Sequence, residues 1–317
     1  MKEWWNMTEE DIKACLDATD WCRADYNDVK ELGIGLEKIS EIAGTETKSE
    51  VAVVYEFRNR WAIDNSSGFN NDDKKYKRTC INHYLQFWKR GINVDVIGIN
   101  SDLSKYKIVV LPMLYSLSET QIQNIEKFVS DGGTVVATYM TGYANETDLC
   151  YIGGFPGGKL KDVFGLTADE IDTLYETDCN SVRINNKSCK VVDYCELITP
   201  VTADVTGMYE KDFYKGQPAV LKNIYNKGTA YYIACRDEGE LLDEVYSGIL
   251  KEENIKCYEL PFGVSVHTRD NYFFFENYTE KEQCVILDGR FSDVENNVEY
   301  EKNIVLDRYE IKILKKI

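Results

Sequence analysis

A chain of 317 residues with 44% hydrophobic and 12% aromatic side chains can bury a sizeable core and has room for two domains, which excludes a disordered protein. Its formal net charge of −17, from 54 acidic and 37 basic side chains, repels phosphate backbones and anionic lipid, so no nucleic acid and no membrane is expected among its partners. No apolar run approaches the roughly 20 residues that span a bilayer, and Met1-Lys2-Glu3-Trp4-Trp5-Asn6 lacks the apolar core of a signal peptide.

In chain order, Thr8 with Asp11 three residues on predicts the start of a helix carrying Ile12, Cys15 and Leu16 on one face. A second helix has Tyr26, Val29, Leu32, Leu36, Ile39 and Ile42 spaced by threes and fours; Gly33 and Gly35 weaken it and Gly44 stops it. The polar stretch Thr45 to Ser49 reads as a connector. Residues 1–47 are therefore expected to form a helical N-terminal segment.

Residues 48–258 alternate strand and helix. Buried-strand runs lie at Val51 to Tyr55, Lys107 to Pro112 and Thr134 to Tyr139, with an alternating strand at Asn93 to Ile97. Helices are predicted over Lys74 to Arg90, ended by Gly91, and after a capping box at Ser118 and Gln121. Beyond Leu174 the pattern is strand-rich. A hairpin turns at Asn226-Lys227-Gly228, and an amphipathic helix covers Glu240 to Glu252. Residues 259–317 hold short strands and close turns. The fold expected is α/β, an open, mostly parallel sheet of the flavodoxin or class I amidotransferase kind with helices on both faces, followed by a small antiparallel β-sandwich.

Chemistry is harder to find. After the strand ending at Tyr139, a hydrolase or amidotransferase of this architecture places Cys or Ser on a tight elbow; here the chain reads Met140-Thr141-Gly142. Gly153-Gly154-Phe155-Pro156-Gly157-Gly158-Lys159-Leu160 nearly spells a phosphate loop, but Leu160 removes the hydroxyl that holds magnesium, so a structural turn is expected. Cys80 and His83, three apart on a predicted helix, could make a nucleophile–base pair, but an ordinary helix face is the reading strongly favoured. Ten scattered cysteines without Cys-x-x-Cys spacing read as reduced, mostly buried thiols of a cytoplasmic protein; with two histidines, no metal and no cofactor is expected. The stretch Arg58 to Asp64 follows the first strand, where open α/β sheets place their ligand crevice. Trp61 there offers a sugar-stacking face, although a packing or interface anchor is the favoured reading, and Asn59 a hydrogen bond; with Tyr139 they are the ligand or interface candidates.

Several ordered stretches together resemble the non-barrel part of glycoside hydrolase family 42 β-galactosidases. They are Tyr26 to Gly33, Val51 to Asp64, Asp102 to Lys107, Leu111 to Tyr115, Phe128 to Tyr139, Tyr151 to Gly157, Gly228 to Ile233 and Gly263 to Asp270. The resemblance implies a trimerisation domain of amidotransferase-like fold, a small C-terminal β-sandwich and a short remnant of the (β/α)₈ barrel that carries the catalytic glutamates elsewhere. Those glutamates have no matching positions here, so no catalytic residue is carried over. Arg60-Trp61 also departs from the Trp-Trp of that family's motif. The resemblance thus implies a non-catalytic oligomerisation and accessory portion of a β-galactosidase, a homotrimer, with the barrel as its partner in the full-length protein. Two alternatives stay open: a stand-alone hydrolase with a displaced thiol such as Cys80 or Cys150, and a sugar-binding module.

Overall fold

The computed structural model describes residues 8–11, 13, 20–67 and 74–317. The chain forms two compact units. One comprises the described residues up to Thr47 together with Thr268–Ile317, the other Lys48–His267.

The larger unit is built on one mixed sheet of 11 strands. They are β1 (Val51–Val54), β2 (Val94–Ile97), β3 (Ile108–Leu111), β4 (Thr134–Thr138), β5 (Leu166–Thr173), β6 (Asn180–Ile184), β7 (Lys187–Pro200), β8 (Asp204–Tyr209), β9 (Pro218–Tyr225), β10 (Gly228–Ile233) and β11 (Cys235–Asp237). Their order is β11-β7-β6-β8-β9-β10-β4-β3-β1-β2, with β5 also on β7. The run β10-β4-β3-β1-β2 is parallel. The strand-rich segment after Leu174 extends it antiparallel from β10 through β9.

The parallel strands read as unbroken apolar runs because both faces of the sheet are covered. Side chains alternate across a strand. Val51, Val53, Ile108, Val110 and Val136 therefore enter one core, with Phe87 of the helix Tyr76–Trp88 and Leu241, Leu242, Val245 and Ile249 of Glu240–Glu252. Ala52, Val54, Val109, Leu111, Val135 and Ala137 enter the other, with Ile122, Ile125 and Phe128 of Glu119–Ser130 and with Leu160 and Val163 of Leu160–Phe164. Each Val, Leu, Ile or Phe among them, taken fully from water, contributes roughly 1.5–3 kcal/mol. The capping box forms as the sequence predicts: Ser118 Oγ accepts from Gln121 N at 3.3 Å, and Gln121 Oε1 accepts from Ser118 N at 2.9 Å. The β9–β10 hairpin turns through Asn226 at φ +55°. Gly228 must be glycine for another reason: a Cβ there would lie 2.2 Å from the Val129 carbonyl oxygen and 2.3 Å from that of Gly133.

In the smaller unit, Thr8 and Asp11 cap each other, with Thr8 Oγ1 accepting from Asp11 N at 3.2 Å and Asp11 Oδ2 accepting from Thr8 N at 2.9 Å. Ile12, Cys15 and Leu16, the expected apolar face of that first helix, lie outside the described residues. The second helix spans Asp20–Lys38, and Gly44 follows at φ +85°. Its stripe Val29, Leu32 and Leu36 stays 67%, 62% and 55% exposed, so nothing among the described residues covers it. The C-terminal strands are β12 (Val264–Arg269), whose first four residues are counted with the larger unit, β13 (Tyr272–Asn277), β14 (Gln283–Ile286), β15 (Phe291–Asp293), β16 (Glu299–Tyr300), β17 (Asn303–Leu306) and β18 (Ile311–Lys316). They make a five-stranded sheet, β12-β13-β18-β15-β16, and a β14-β17 pair. Phe273, Phe275 and Phe291 pack edge to face and stacked at the centre.

Candidate functional site

An open α/β sheet presents ligands at the carboxyl ends of its parallel strands. Past β4, Tyr139 leads into Met140 at φ +64°, and past β3 Met113 stands at φ +43°. A bulky residue in the left-handed region is strained, and such strain persists only where surroundings over-determine it. The elbow backbone is therefore present, with a methionine on it that is wholly buried.

What holds the elbow is Glu196 of β7, which has no exposed surface. Its Oε1 accepts from Met140 N at 3.1 Å and from the Tyr143 hydroxyl at 2.5 Å; Oε2 accepts from the Tyr232 hydroxyl at 2.6 Å. Burial pushes this carboxyl above its ordinary range, and the three hydrogen bonds offset that only in part. Tyr143 stacks on Phe155, ring centroids 4.1 Å apart. A buried carboxylate and two buried tyrosines thus pack against the elbow.

Beside it lies a second charged centre. Arg236 of β11 donates through Nε to the Tyr139 hydroxyl at 2.8 Å, through Nη1 to Asp193 Oδ2 at 2.8 Å, and through Nη2 to the Lys74 carbonyl at 2.5 Å. Its guanidinium also faces the Tyr194 ring, 4.8 Å from the centroid. Asp193 reaches it because β7 bulges: Cys235 opposes Cys195 but Arg236 opposes Val192, and Asp193 stands at φ +61°. Lys75 makes a second ion pair with the same Asp193 oxygen at 2.8 Å. Burial works to raise the Asp193 carboxyl, but the bonds from Lys75 and Arg236 outweigh it and hold the group below its usual range. Outside this network opens a polar cleft of about 340 Å³, bordered by Arg78, Asn82, Tyr175, Asp178, Lys190 and Glu238.

Of the residues singled out from sequence, Trp61 lies on the helix Phe57–Asn65 and is 66% exposed, beside Phe57 at 59%. Asn59 is buried on the same helix, donating to the Met113 carbonyl at 2.9 Å and accepting from Ser116 N at 3.0 Å. It fixes the turn after β3, and both polar atoms of its amide are engaged there. Tyr139 is buried too, its hydroxyl engaged by Arg236. The polar atoms of Asn59 are thus spent on the backbone turn past β3, and the Tyr139 hydroxyl on the side chains of Arg236 and Thr79.

The Cys80–His83 pair does not form. His83 Nδ1 hydrogen-bonds the Tyr246 hydroxyl at 2.6 Å, and burial lowers its pKa to about 3. Burial pushes the Cys80 thiol up to about 12, the reverse of an activated nucleophile. Cys150 is exposed. The glycine loop is a turn: Gly153, Gly154 and Gly158 all have positive φ, and Lys159 pairs with Asp162 at 3.1 Å. Among the described residues, no group of three or more His, Cys, Asp or Glu is placed to hold a metal, and no helix is long and apolar enough to cross a membrane. Sequence reasoning missed Glu196, Asp193 and Arg236. Their signal is a charge inside an apolar strand pattern, Val191-Val192-Asp193-Tyr194-Cys195-Glu196 and Ala234-Cys235-Arg236.

The family model of the β-galactosidase trimerisation domain matches residues 49–256, and that of the β-galactosidase C-terminal domain matches 263–316. The chain is 36% identical to β-galactosidase Pbg of Clostridium perfringens and 38% identical to β-galactosidase GalA of Bacillus licheniformis; the alignments cover 92% and 91% of this chain and 44% of each relative. The solved structure of Gan42B, a GH42 β-galactosidase of G. stearothermophilus, superposes with a TM-score of 0.88 at 39% identity, over 92% of this chain and 43% of that one. The chain thus spans under half the length of the relatives it matches. An α-L-fucosidase from Paenibacillus thiaminolyticus shares the fold at a TM-score of 0.61 and 12% identity. The chain belongs to the glycoside hydrolase family 42 β-galactosidases, of which it carries the trimerisation and C-terminal domains.

Proposed function

We propose that this chain is the assembly frame of a β-galactosidase: it forms a homotrimer through its α/β segment, residues 48–258, and does not itself break glycosidic bonds. The observation that carries the reading is the match of the trimerisation domain to residues 49–256 in a chain that spans 44% of its relatives. The plugged elbow at Met140 and Glu196 supports it, as an amidotransferase-like site without a nucleophile. Residues 1–47 and 259–317 are taken as the helical remnant and the terminal sandwich. A catalytic barrel in the full-length protein or on a partner chain would rest on the uncovered stripe Val29, Leu32 and Leu36. The exposed pair Phe57 and Trp61 is proposed as an anchor between copies, since aromatic side chains dominate such contacts. A cytoplasmic location fits the scattered thiols.

Sedimentation equilibrium at tens of micromolar tests the assembly: a mass of three chains is expected, and a clean monomer would refute it. Incubation with a nitrophenyl β-galactoside tests the second part, and turnover by the isolated chain would contradict it.

A further inference from the structure

Two buried thiols stand directly opposite each other. Cys195 of β7 pairs with Cys235 of β11 in antiparallel register, and both are at most 2% exposed. The next rung fixes their geometry. Glu196 N donates to the Ala234 carbonyl at 2.7 Å, while Ala234 N turns to the Ala219 carbonyl at 2.8 Å, so Glu196 and Ala234 occupy a hydrogen-bonded rung that keeps one of its two bonds. Rungs alternate, which makes Cys195–Cys235 a non-hydrogen-bonded pair with Cα atoms about 4.5 Å apart and side chains on one face. That separation lies within the roughly 4.4–6.8 Å that a disulfide bridges. Both side chains enter the same apolar core, beside Tyr209. The Tyr209 hydroxyl sits between the two strands at this point, its single proton shared between the Glu196 carbonyl at 3.1 Å and the Ala234 carbonyl at 3.0 Å.

We propose that Cys195 and Cys235 are an oxidisable pair that a small disulfide such as oxidised glutathione closes into a cross-strand disulfide. One cysteine, as thiolate, attacks the oxidant and displaces one glutathione thiol. The second attacks the mixed disulfide and displaces the other. One S–S bond forms, two protons leave the cysteines, and the oxidant is reduced to two thiols. Burial pushes the Cys195 thiol up to about 12 and raises the Cys235 thiol as well, so neither attacks in the closed sheet; reaction waits on local opening of β11, a three-residue edge strand whose neighbour in the sheet is β7, which returns both thiols to water. The bond would clamp the last regular rung before the bulge that carries Asp193 to Arg236, making the modification a reversible lock on that ion pair.

The test uses the reduced native chain incubated with oxidised glutathione, then alkylation of remaining thiols, digestion without reductant and mass mapping. A linked Cys195–Cys235 peptide is expected, with Cys189 alkylated, and dithiothreitol should abolish the link. The oxidised chain should exchange the Arg236 and Asp237 amides at least tenfold more slowly. Cys195→Ser should yield no link; were that variant misfolded, the wild-type map decides alone. Full alkylation of both cysteines while exposed Cys150 becomes glutathionylated would overturn the proposal, as would a link from Cys235 to Cys189.

Discussion

Replacing Arg236 by methionine tests whether the ion-pair network organises the carboxyl end of the sheet. Methionine keeps the aliphatic volume and removes every donor of a side chain that is 8% exposed. Breaking a buried pair from one side costs about 3–5 kcal/mol, because the remaining charge and polar atoms lose their partners. Here Asp193 keeps Lys75 at 2.8 Å and is itself 16% exposed, which places the loss near the lower end, about 3 kcal/mol. The Lys74 carbonyl, which accepts from Nη2 at 2.5 Å, loses that donor, so a smaller loss is not expected. Urea unfolding followed by fluorescence should show a midpoint lower by about 1 M or more. Arg236→Lys should recover only part, since an ammonium cannot serve Tyr139, Asp193 and Lys74 together. The Asp193→Asn and Arg236→Met changes should be non-additive when combined. A loss below about 1 kcal/mol for Arg236→Met, or full rescue by lysine, would refute the reasoning.

Four further outcomes follow from the same geometry. Asp193 is held below its ordinary range in the folded chain, so its contribution is present above the carboxylate's unfolded pKa and disappears as pH falls through the folded value. The stability gap between wild type and Asp193→Asn should therefore close below about pH 4. Glu196 has the opposite sign: its raised pKa costs stability as pH rises, so Glu196→Gln should be at least as stable as wild type at neutral pH and lose that advantage near pH 4, by thermal melts. Gly228→Ala should cost about 3 kcal/mol or fail to fold, because its Cβ meets two backbone oxygens that cannot move aside. Thiol labelling of the native chain at neutral pH should modify exposed Cys150, Cys179, Cys257 and Cys284 and spare Cys80; rapid labelling of Cys80 would revive the hydrolase alternative.

The parallel strands were legible because burial on both faces leaves an unmistakable apolar run, and the helix Glu240–Glu252 because its spacing matches one core face. The capping box and the Asn226 turn followed from local chemistry. The site was not legible. Asn59 and Tyr139 sit at the carboxyl ends where ligands are expected, yet which way a polar atom points depends on partners as distant as Met113 and Arg236. The bulge that turns Asp193 inward is a register shift between β7 and β11, a property of two strands that neither encodes alone. Trp61 lies exposed on a short helix, a burial state that its sequence neighbours do not fix.

The place of β10 has a bearing on biosynthesis. This strand joins the two halves of the sheet, parallel to β4 on one side and antiparallel to β9 on the other, with Thr134 paired to Thr229. A ribosome delivers β4 long before β10, so the edge of β4 waits unpaired while the intervening strands emerge. Unpaired edges invite association with other nascent chains. Truncations ending before Gly228 should consequently aggregate, whereas removal of the terminal strands after Gly263 leaves this pairing intact.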